Sequence, residues 1–447
     1  MDYQASLLYL ESLAVFGSQL GLKRIERLTE LLGHPENRYA TVHVTGTNGK
    51  GSTALMTSAI LTKAGLKTGL YISPHLLSYT ERMRIDGQTI DEESFAAAVT
   101  KVRGAVDTML REGLESPTEF EVLTAAAFVI FAEKKVDYAV IEVGLGGLLD
   151  STNVIVPELS IITNVEMEHA DRCGGTLEGI ARHKAGIIKE GVPVVTAATG
   201  EPLDILRETA EEKSADMFVL GEDFSAKAEN FDHFRQVISF SSPLLGVTDE
   251  RFALRLLGTY QIKNAALAIM AAQILKQTNP SITKEAVAYA LSIAEWPGRF
   301  ERMAIGSQRI LVDGAHNPAG MRALRDSLDS YYKEESRVFL LGILKDKEVE
   351  QMLHILFRPQ DRVVLTRPQS ERASDPEAIK AIADTMASEV TTCGSAEEAL
   401  DRALSLVGEE DILICAGSLY LIGELRRLIK EKNSIASSIP VNFYLSE

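Results

Sequence analysis

The chain has 447 residues, 45% hydrophobic and 24% charged, which is too apolar for disorder and long enough for two or three domains at roughly 150 residues each. Asp and Glu number 63 against 46 Lys and Arg, a formal charge of −17, so neither nucleic acid nor an anionic membrane is expected as a partner. The longest nearly unbroken apolar run, Val122 to Ala132, falls far short of the ~20 residues that cross a bilayer. Three cysteines without CxxC spacing suit a reducing, cytoplasmic setting, and the opening MDYQASLLYLESL lacks the basic start of a secretory signal.

In chain order, short apolar runs alternate with longer amphipathic stretches. Thr41 to Thr45 reads as a buried strand, and Ser52 to Lys63 as a helix closed by Gly65. Tyr138 to Val143, Leu159 to Thr163 and Val192 to Thr196 read as further strands. Strands alternating with helices predict an α/β protein with parallel sheets. From Phe231 to Leu257 the pattern changes: Arg235 to Phe240 and Arg251 to Leu256 alternate polar with apolar, as antiparallel strands do. A helical run then ends near Glu295, and the Pro-Gly pair within Trp296 to Arg299 marks a boundary. Beyond it Ile310 to Val312, Val338 to Leu341, Val363 to Leu365 and Ile412 to Cys415 resume the α/β alternation. The expected domains are therefore 1–295 and 296–447.

The strongest local signal is His43-Val-Thr-Gly-Thr-Asn-Gly-Lys-Gly-Ser-Thr53. A strand ends, a glycine-rich loop follows and a helix begins, so successive N–H groups and the helix N-terminus form a cradle for phosphate oxygens, with Lys50 adding a cation. Ser52 stands where a hydroxyl meets a metal. The loop is shorter than the usual phosphate loop and reads GxxGKGS. A second glycine group, Glu142-Val-Gly-Leu-Gly-Gly-Leu-Leu-Asp150, is no dinucleotide fingerprint, because Leu149 occupies the position of its last glycine. Glu142 at a strand end is instead a natural Mg²⁺ ligand.

Further motifs follow in order: Tyr71 to Leu76 (YISPHL), Tyr79 to Arg82 (YTER), Lys184 to Lys189 (KAGIIK), Pro297 to Arg299, and Asp313 to Pro318 (DGAHNP). Together with the loop and the Glu142 to Asn153 segment, they resemble the folylpolyglutamate synthase and dihydrofolate synthase family of the Mur ligase superfamily. The resemblance spans nearly the whole chain, from Leu20 to Tyr420. It implies a P-loop-containing, Mur-ligase-like central domain with a parallel sheet and a small antiparallel sheet, followed by a Rossmann-like C-terminal α/β domain. The activity it implies is ATP-dependent addition of L-glutamate to a folate, and to dihydropteroate, through an acyl phosphate.

The resemblance also assigns residues. Thr47, Asn48, Gly49, Lys50, Gly51 and Ser52 would hold the triphosphate, Asn264 the adenine, Arg299 a phosphate oxygen and Asp313 the ribose. Ser73 and Glu142 would bind one Mg²⁺; His169 and Lys184 would bind a second, with Lys184 carbamylated so that an ammonium becomes an anionic ligand. Lys50, Lys184 and His169 would be the catalytic residues. Phe120, Glu121 and Asp150 would hold the pterin, and His316 and Ser418 the glutamate. A monomer is expected. The chain departs from the family pattern GLGGRLDATN in having Leu148 for Arg and Ser151 for Ala, and it has His183 before Lys184. Two rivals stand beside this reading: a Mur-type ligase acting on a non-folate carboxylate, and a P-loop nucleotide switch, which would turn over nucleotide without an acceptor.

Overall fold

The computed structural model describes residues 1–17, 19–168, 172–232 and 234–437. Its chain separates into two compact units: residues 1–230, 236–255 and 261–294 form the first, while 231–235 and 256–260 join the chain from 295 onward in the second. The first unit is built on an eight-stranded sheet of β1 (Ala40–Thr45), β2 (Thr68–Tyr71), β3 (Met83–Ile85), β4 (Gln88–Thr89), β5 (Tyr138–Glu142), β6 (Leu159–Ile162), β7 (Val194–Thr196) and β8 (Met217–Val219). Their order is β4-β3-β2-β5-β1-β6-β7-β8. The strands from β2 to β8 in that order run parallel, and β3 and β4 close one edge antiparallel. Because helices cover both faces of the parallel part, β5 and β6 are buried at every position and are apolar except at Glu142 and Ser160.

The chain leaves β1 toward β2 on one side and later crosses from β5 to β6 on the other, so β1 is the point where the winding reverses. The carboxyl ends of strands around such a point form the crevice in which α/β proteins bind ligands. The helix Glu119–Glu133, which contains the long apolar run, is buried on nearly all sides; a capping box from Thr118 and Glu121 closes its start. The helix Lys50–Lys63 begins two residues before the expected Ser52, because Gly49, in the left-handed region at φ 85°, serves as its N-cap.

The expected antiparallel strands form a separate three-stranded sheet of β9 (Ser225–Phe231), β10 (Gln236–Ser242) and β11 (Val247–Leu254). Residues of β10 alternate between buried and half-buried, as a one-sided sheet requires. The second unit carries β12 (Glu301–Ile305), β13 (Gln308–Val312), β14 (Arg337–Leu341), β15 (Arg362–Leu365), β16 (Glu389–Thr392) and β17 (Ile412–Ala416), ordered β12-β13-β17-β14-β15-β16. All pairs are parallel except β12 with β13. Within the DGAHNP motif, Asn317 is a helix N-cap: its side chain accepts the Gly320 N–H and Pro318 takes the first turn of Pro318–Tyr331. Among the described residues no helix is long and apolar enough to cross a membrane.

Candidate active site

The register of the large sheet explains which residues meet. β1 pairs Val44 with Glu142 of β5 and Thr45 with Ile162 of β6, and β2 pairs Tyr71 with Ile141. Ser73, Glu142, the loop 46–49 and the segment Thr163–Glu166 are therefore neighbours at one carboxyl edge. Glu142 is buried, and its Oε2 accepts the Ser73 N–H at 3.1 Å.

The loop is organised by Asn164. Its Oδ1 accepts the N–H groups of Thr47 at 3.1 Å and Asn48 at 2.9 Å, while Thr163 Oγ1 donates to the Asn48 carbonyl at 2.6 Å. Thr47 Oγ1 donates to the Glu166 carbonyl and accepts the Glu166 N–H. Thr47 and Asn48 thus give their backbone N–H groups to Asn164, which sets the shape of the loop. The donors left to meet an anion are those of the helix start, Gly49 to Ser52, where no side chain caps the helix. Lys50 folds over its own loop and donates to the carbonyls of Gly46 at 2.9 Å and Thr47 at 3.0 Å.

Asn264 does not stand apart from this loop. A Cβ built on Gly49 would lie 2.3 Å from Asn264 Oδ1, so only glycine lets the helix approach. Asn264 Nδ2 donates to Gln261 Oε1 at 2.9 Å, and Gln261 Nε2 donates to Ser52 Oγ at 3.2 Å. Asn264 and Gln261 together brace the loop and the first turn of its helix.

Lys184 lies in the helix Leu177–Ala185 and is buried. Burial, and next the charge of Lys50, push its amine down to about 7, against smaller opposing effects of Cys173 and Glu168. A large part of this amine is therefore unprotonated near neutral pH, the form that adds CO₂. His169 lies outside the described residues. Among the described residues no three His, Cys, Asp or Glu side chains converge as a metal site. The oxygen donors of Ser73 and Glu142 fit a hard cation such as Mg²⁺; Lys184 fits one only as a carbamate.

On the far side of β5, Phe120 packs its ring over the glycine loop: a Cβ on Gly144 would lie 2.4 Å from Phe120 Cζ. Tyr71 stacks on Phe120 with ring centroids 6.2 Å apart. Asp150 is buried, with Oδ1 accepting from Thr152 N at 3.0 Å and Thr152 Oγ1 at 2.5 Å, and Oδ2 accepting from Leu145 N at 2.8 Å. Burial pushes its carboxyl above the usual carboxylate range, and these donors oppose the rise. The Glu121 carboxylate accepts from Thr118 N and Oγ1 and pairs with Arg24 Nε at 3.0 Å, so it takes part in the helix cap and in an ion pair. Leu148 is 43% exposed and its N–H donates to the His183 carbonyl.

In the second unit Asp313 is buried at the end of β13. Its Oδ2 accepts from Tyr260 Oη and Phe300 N, both at 2.8 Å, and its Oδ1 accepts from Ala315 N at 2.8 Å. The Arg299 guanidinium lies against Gly314, where a Cβ would fall 1.8 Å from Nη1. His316 Nδ1 donates to the Gly314 carbonyl at 2.7 Å, which orients the ring. Ser418 is buried, and its Oγ accepts the Tyr420 N–H at the start of the last helix. Each residue assigned to this unit thus belongs to one of two strand-end loops, after β13 or after β17, or to the segment 297–299 that precedes β12.

Comparison with known proteins places this architecture. The family model for the Mur ligase middle domain matches residues 44–272, and that for the Mur ligase, glutamate ligase domain matches residues 298–419. The chain therefore has the two domains of a Mur-type ligase. It is 35% identical to the dihydrofolate synthase/folylpolyglutamate synthase of Bacillus subtilis, over 96% of this chain and 99% of that protein. The folylpolyglutamate synthase structure from Thermotoga maritima superposes with a TM-score of 0.84 at 35% identity, covering 96% of this chain and 97% of that one. The E. coli FolC structure in complex with DHPP and ADP has a TM-score of 0.86 at 28% identity, covering 97% and 98%. This chain belongs to the folylpolyglutamate synthase/dihydrofolate synthase family.

Proposed function

We propose that the protein is an ATP-dependent ligase that joins L-glutamate to a folate and to dihydropteroate, the two acceptors that the double name of the Bacillus subtilis relative suggests. The observation that carries this reading is local: an uncapped helix start with Lys50 lies one strand from the buried carboxylate of Glu142, and Lys184 is buried within the electrostatic reach of Lys50. Phosphoryl transfer to a carboxylate needs positioning and charge neutralisation above all, and this is what such an edge supplies.

In this reading the N–H groups of Gly49 to Ser52 and the Lys50 ammonium hold the phosphates. Lys50 then exchanges its two loop carbonyls for phosphate oxygens, while Asn164 keeps the loop in shape. Ser73 and Glu142 hold Mg²⁺, which when bound neutralises phosphate charge. Lys184 reacts with CO₂ as the amine, and the carbamate gains the Lys50 cation as a partner instead of a repelling neighbour. His169 and the Lys184 carbamate are the proposed ligands of a second Mg²⁺. Phe120 and Asp150 hold the acceptor's ring system, by stacking and by hydrogen bonding. Asn264, Arg299 and Asp313 are the proposed nucleotide contacts and His316 and Ser418 those of glutamate; the Ser418 hydroxyl, already an acceptor, gives its proton. The acceptor carboxylate attacks the γ-phosphate of ATP, ADP leaves and an acyl phosphate forms; the glutamate amine then attacks the acyl carbon, loses a proton and displaces phosphate to form the amide. The same reading takes the enzyme as a cytoplasmic monomer; light scattering of the purified chain tests the monomer.

Phosphate release with ATP and glutamate decides the function. It should require dihydropteroate or tetrahydrofolate and be silent with no acceptor. Release with a UDP-sugar peptide, or without any acceptor, would overturn it in favour of another Mur-type ligase or a nucleotide switch.

A further inference from the structure

His43 has no role in that chemistry, yet it is one of the most buried polar side chains of the first unit, wholly enclosed in β1 three residues before Gly46. Its Nε2 lies 2.9 Å from Thr152 Oγ1. The direction of that bond follows from its neighbours. Thr152 has one hydroxyl proton and gives it to the Asp150 carboxylate at 2.5 Å, so toward His43 the same oxygen can only accept. His43 is therefore the Nε2–H tautomer. Burial, reinforced by the charge of Lys189, pushes its imidazolium down to about 3, which keeps the ring neutral at any physiological pH. The other nitrogen, Nδ1, is buried with no hydrogen-bond partner among the described residues.

A buried nitrogen without a partner is a cost that an aliphatic side chain in this strand would not carry. What the imidazole adds is one donor, and that donor ends on the residue that holds Asp150. The neighbouring residue is pinned from the other side. Thr124 Oγ1 donates to the Phe120 carbonyl at 2.8 Å, so it accepts from Tyr71 Oη at 3.2 Å and from Ser151 Oγ at 3.1 Å. The turn 150–152 is thus fastened through Thr124 to the backbone of Phe120 and through Thr152 to His43.

We propose that His43 is a positioning residue for the acceptor, acting through Thr152 to set the place of the Asp150 carboxylate. This rests on the reading of Asp150 as an acceptor contact. The Nε2–H bond fixes the Thr152 rotamer in which its hydroxyl reaches Oδ1, and so fixes the face that the carboxylate turns to the ligand.

Steady-state kinetics of four variants in the full-length enzyme test it: His43→Leu, His43→Gln, Thr152→Val and Asp150→Asn. Losing one hydrogen bond in a chain that ends on a charge should raise the KM for the acceptor about tenfold in His43→Leu and Thr152→Val. The KM for ATP and the kcat at saturating acceptor should stay near wild type. His43→Gln carries an amide nitrogen the same number of bonds from the backbone and should recover most of the loss. If Asp150→Asn raises the acceptor KM while His43→Leu and Thr152→Val leave it unchanged, the proposal is overturned and the reading of Asp150 survives. If Asp150→Asn leaves the acceptor KM unchanged, that reading fails and takes the proposal with it. A rise in the KM for ATP equal to that for the acceptor, or no recovery in His43→Gln, would make His43 a structural residue. Should His43→Leu not fold, Thr152→Val, which keeps the shape and loses only the hydroxyl, decides between the same outcomes.

Discussion

Replacing Lys184 by methionine should make the protein more stable and much less active. The side chain is buried, and its amine falls from an ordinary value of 10.5 to about 7, first through burial and then through Lys50. At ~1.4 kcal/mol per pH unit that difference costs about 5 kcal/mol when the lysine is protonated, an upper bound for a buried group. The unfolded chain holds more protons at this site than the folded one between about pH 7 and 10.5, so stability rises as pH rises through that window, and below it the full cost is present. Methionine has similar length, fills the space and has no charge. In CO₂-free, metal-free buffer at pH 7, thermal unfolding of Lys184→Met should therefore occur roughly 5 °C or more above wild type. The gap should close toward pH 10. Under assay conditions with ATP, Mg²⁺, bicarbonate and acceptor, turnover should fall by ~10²-fold or more, since the anionic group proposed to form at this position is gone. A variant that is less stable at pH 7, with the same pH slope as wild type, would show that the amine is not held near neutrality. Retained turnover would remove Lys184 from the chemistry.

Three further substitutions probe the same edge. Lys50→Ala should lower ligation by ~10²-fold or more while the fold stays intact, because the ammonium lies on two loop carbonyls, fills no core and is the proposed cation for phosphate; near-normal turnover would remove it from the site. Glu142→Gln keeps the size and loses the charge, so activity should fall and moderate extra Mg²⁺ should not restore it; full activity at ordinary Mg²⁺ would make Glu142 a structural acid. Asn164→Ala takes away the acceptor that holds two loop N–H groups, and the KM for ATP should rise about tenfold while that for the acceptor stays constant; an unchanged ATP KM would mean that the loop holds its shape without it.

Much of this architecture was legible because local chemistry and tertiary structure agree. The fully buried strands β5 and β6 are mostly apolar, broken only by Glu142 and Ser160, β10 alternates, and the glycines of the loop after β1 mark a strand-to-helix turn that little else explains. The strands β3 and β4 at one edge are too short to declare themselves, and the helix start at Lys50 was displaced by the left-handed Gly49, a conformation that residue type permits but does not dictate. What stayed hidden was held by distance along the chain. Asn164 reaches a loop 116 residues away, Gln261 reaches Ser52 across 209, and Arg24 reaches Glu121 across 97. A Thr-Asn pair after a strand is a faint sign of such a role, whereas nothing near Glu121 shows that an arginine will claim it. Asp150 and His43 illustrate the same limit, since each residue is plain in the sequence and the hydroxyl between them is found only in the fold.

The central claim is that ATP activates a carboxylate for attack by an amine, and an isotope transfer tests it most directly. With dihydropteroate labelled by ¹⁸O in both carboxylate oxygens, together with ATP, Mg²⁺ and L-glutamate, one labelled oxygen should pass to each phosphate released and the other should remain in the new amide. Both are read by mass spectrometry. Phosphate that carries no label while amide forms would contradict the acyl-phosphate route, and phosphate released without amide would contradict the ligase itself.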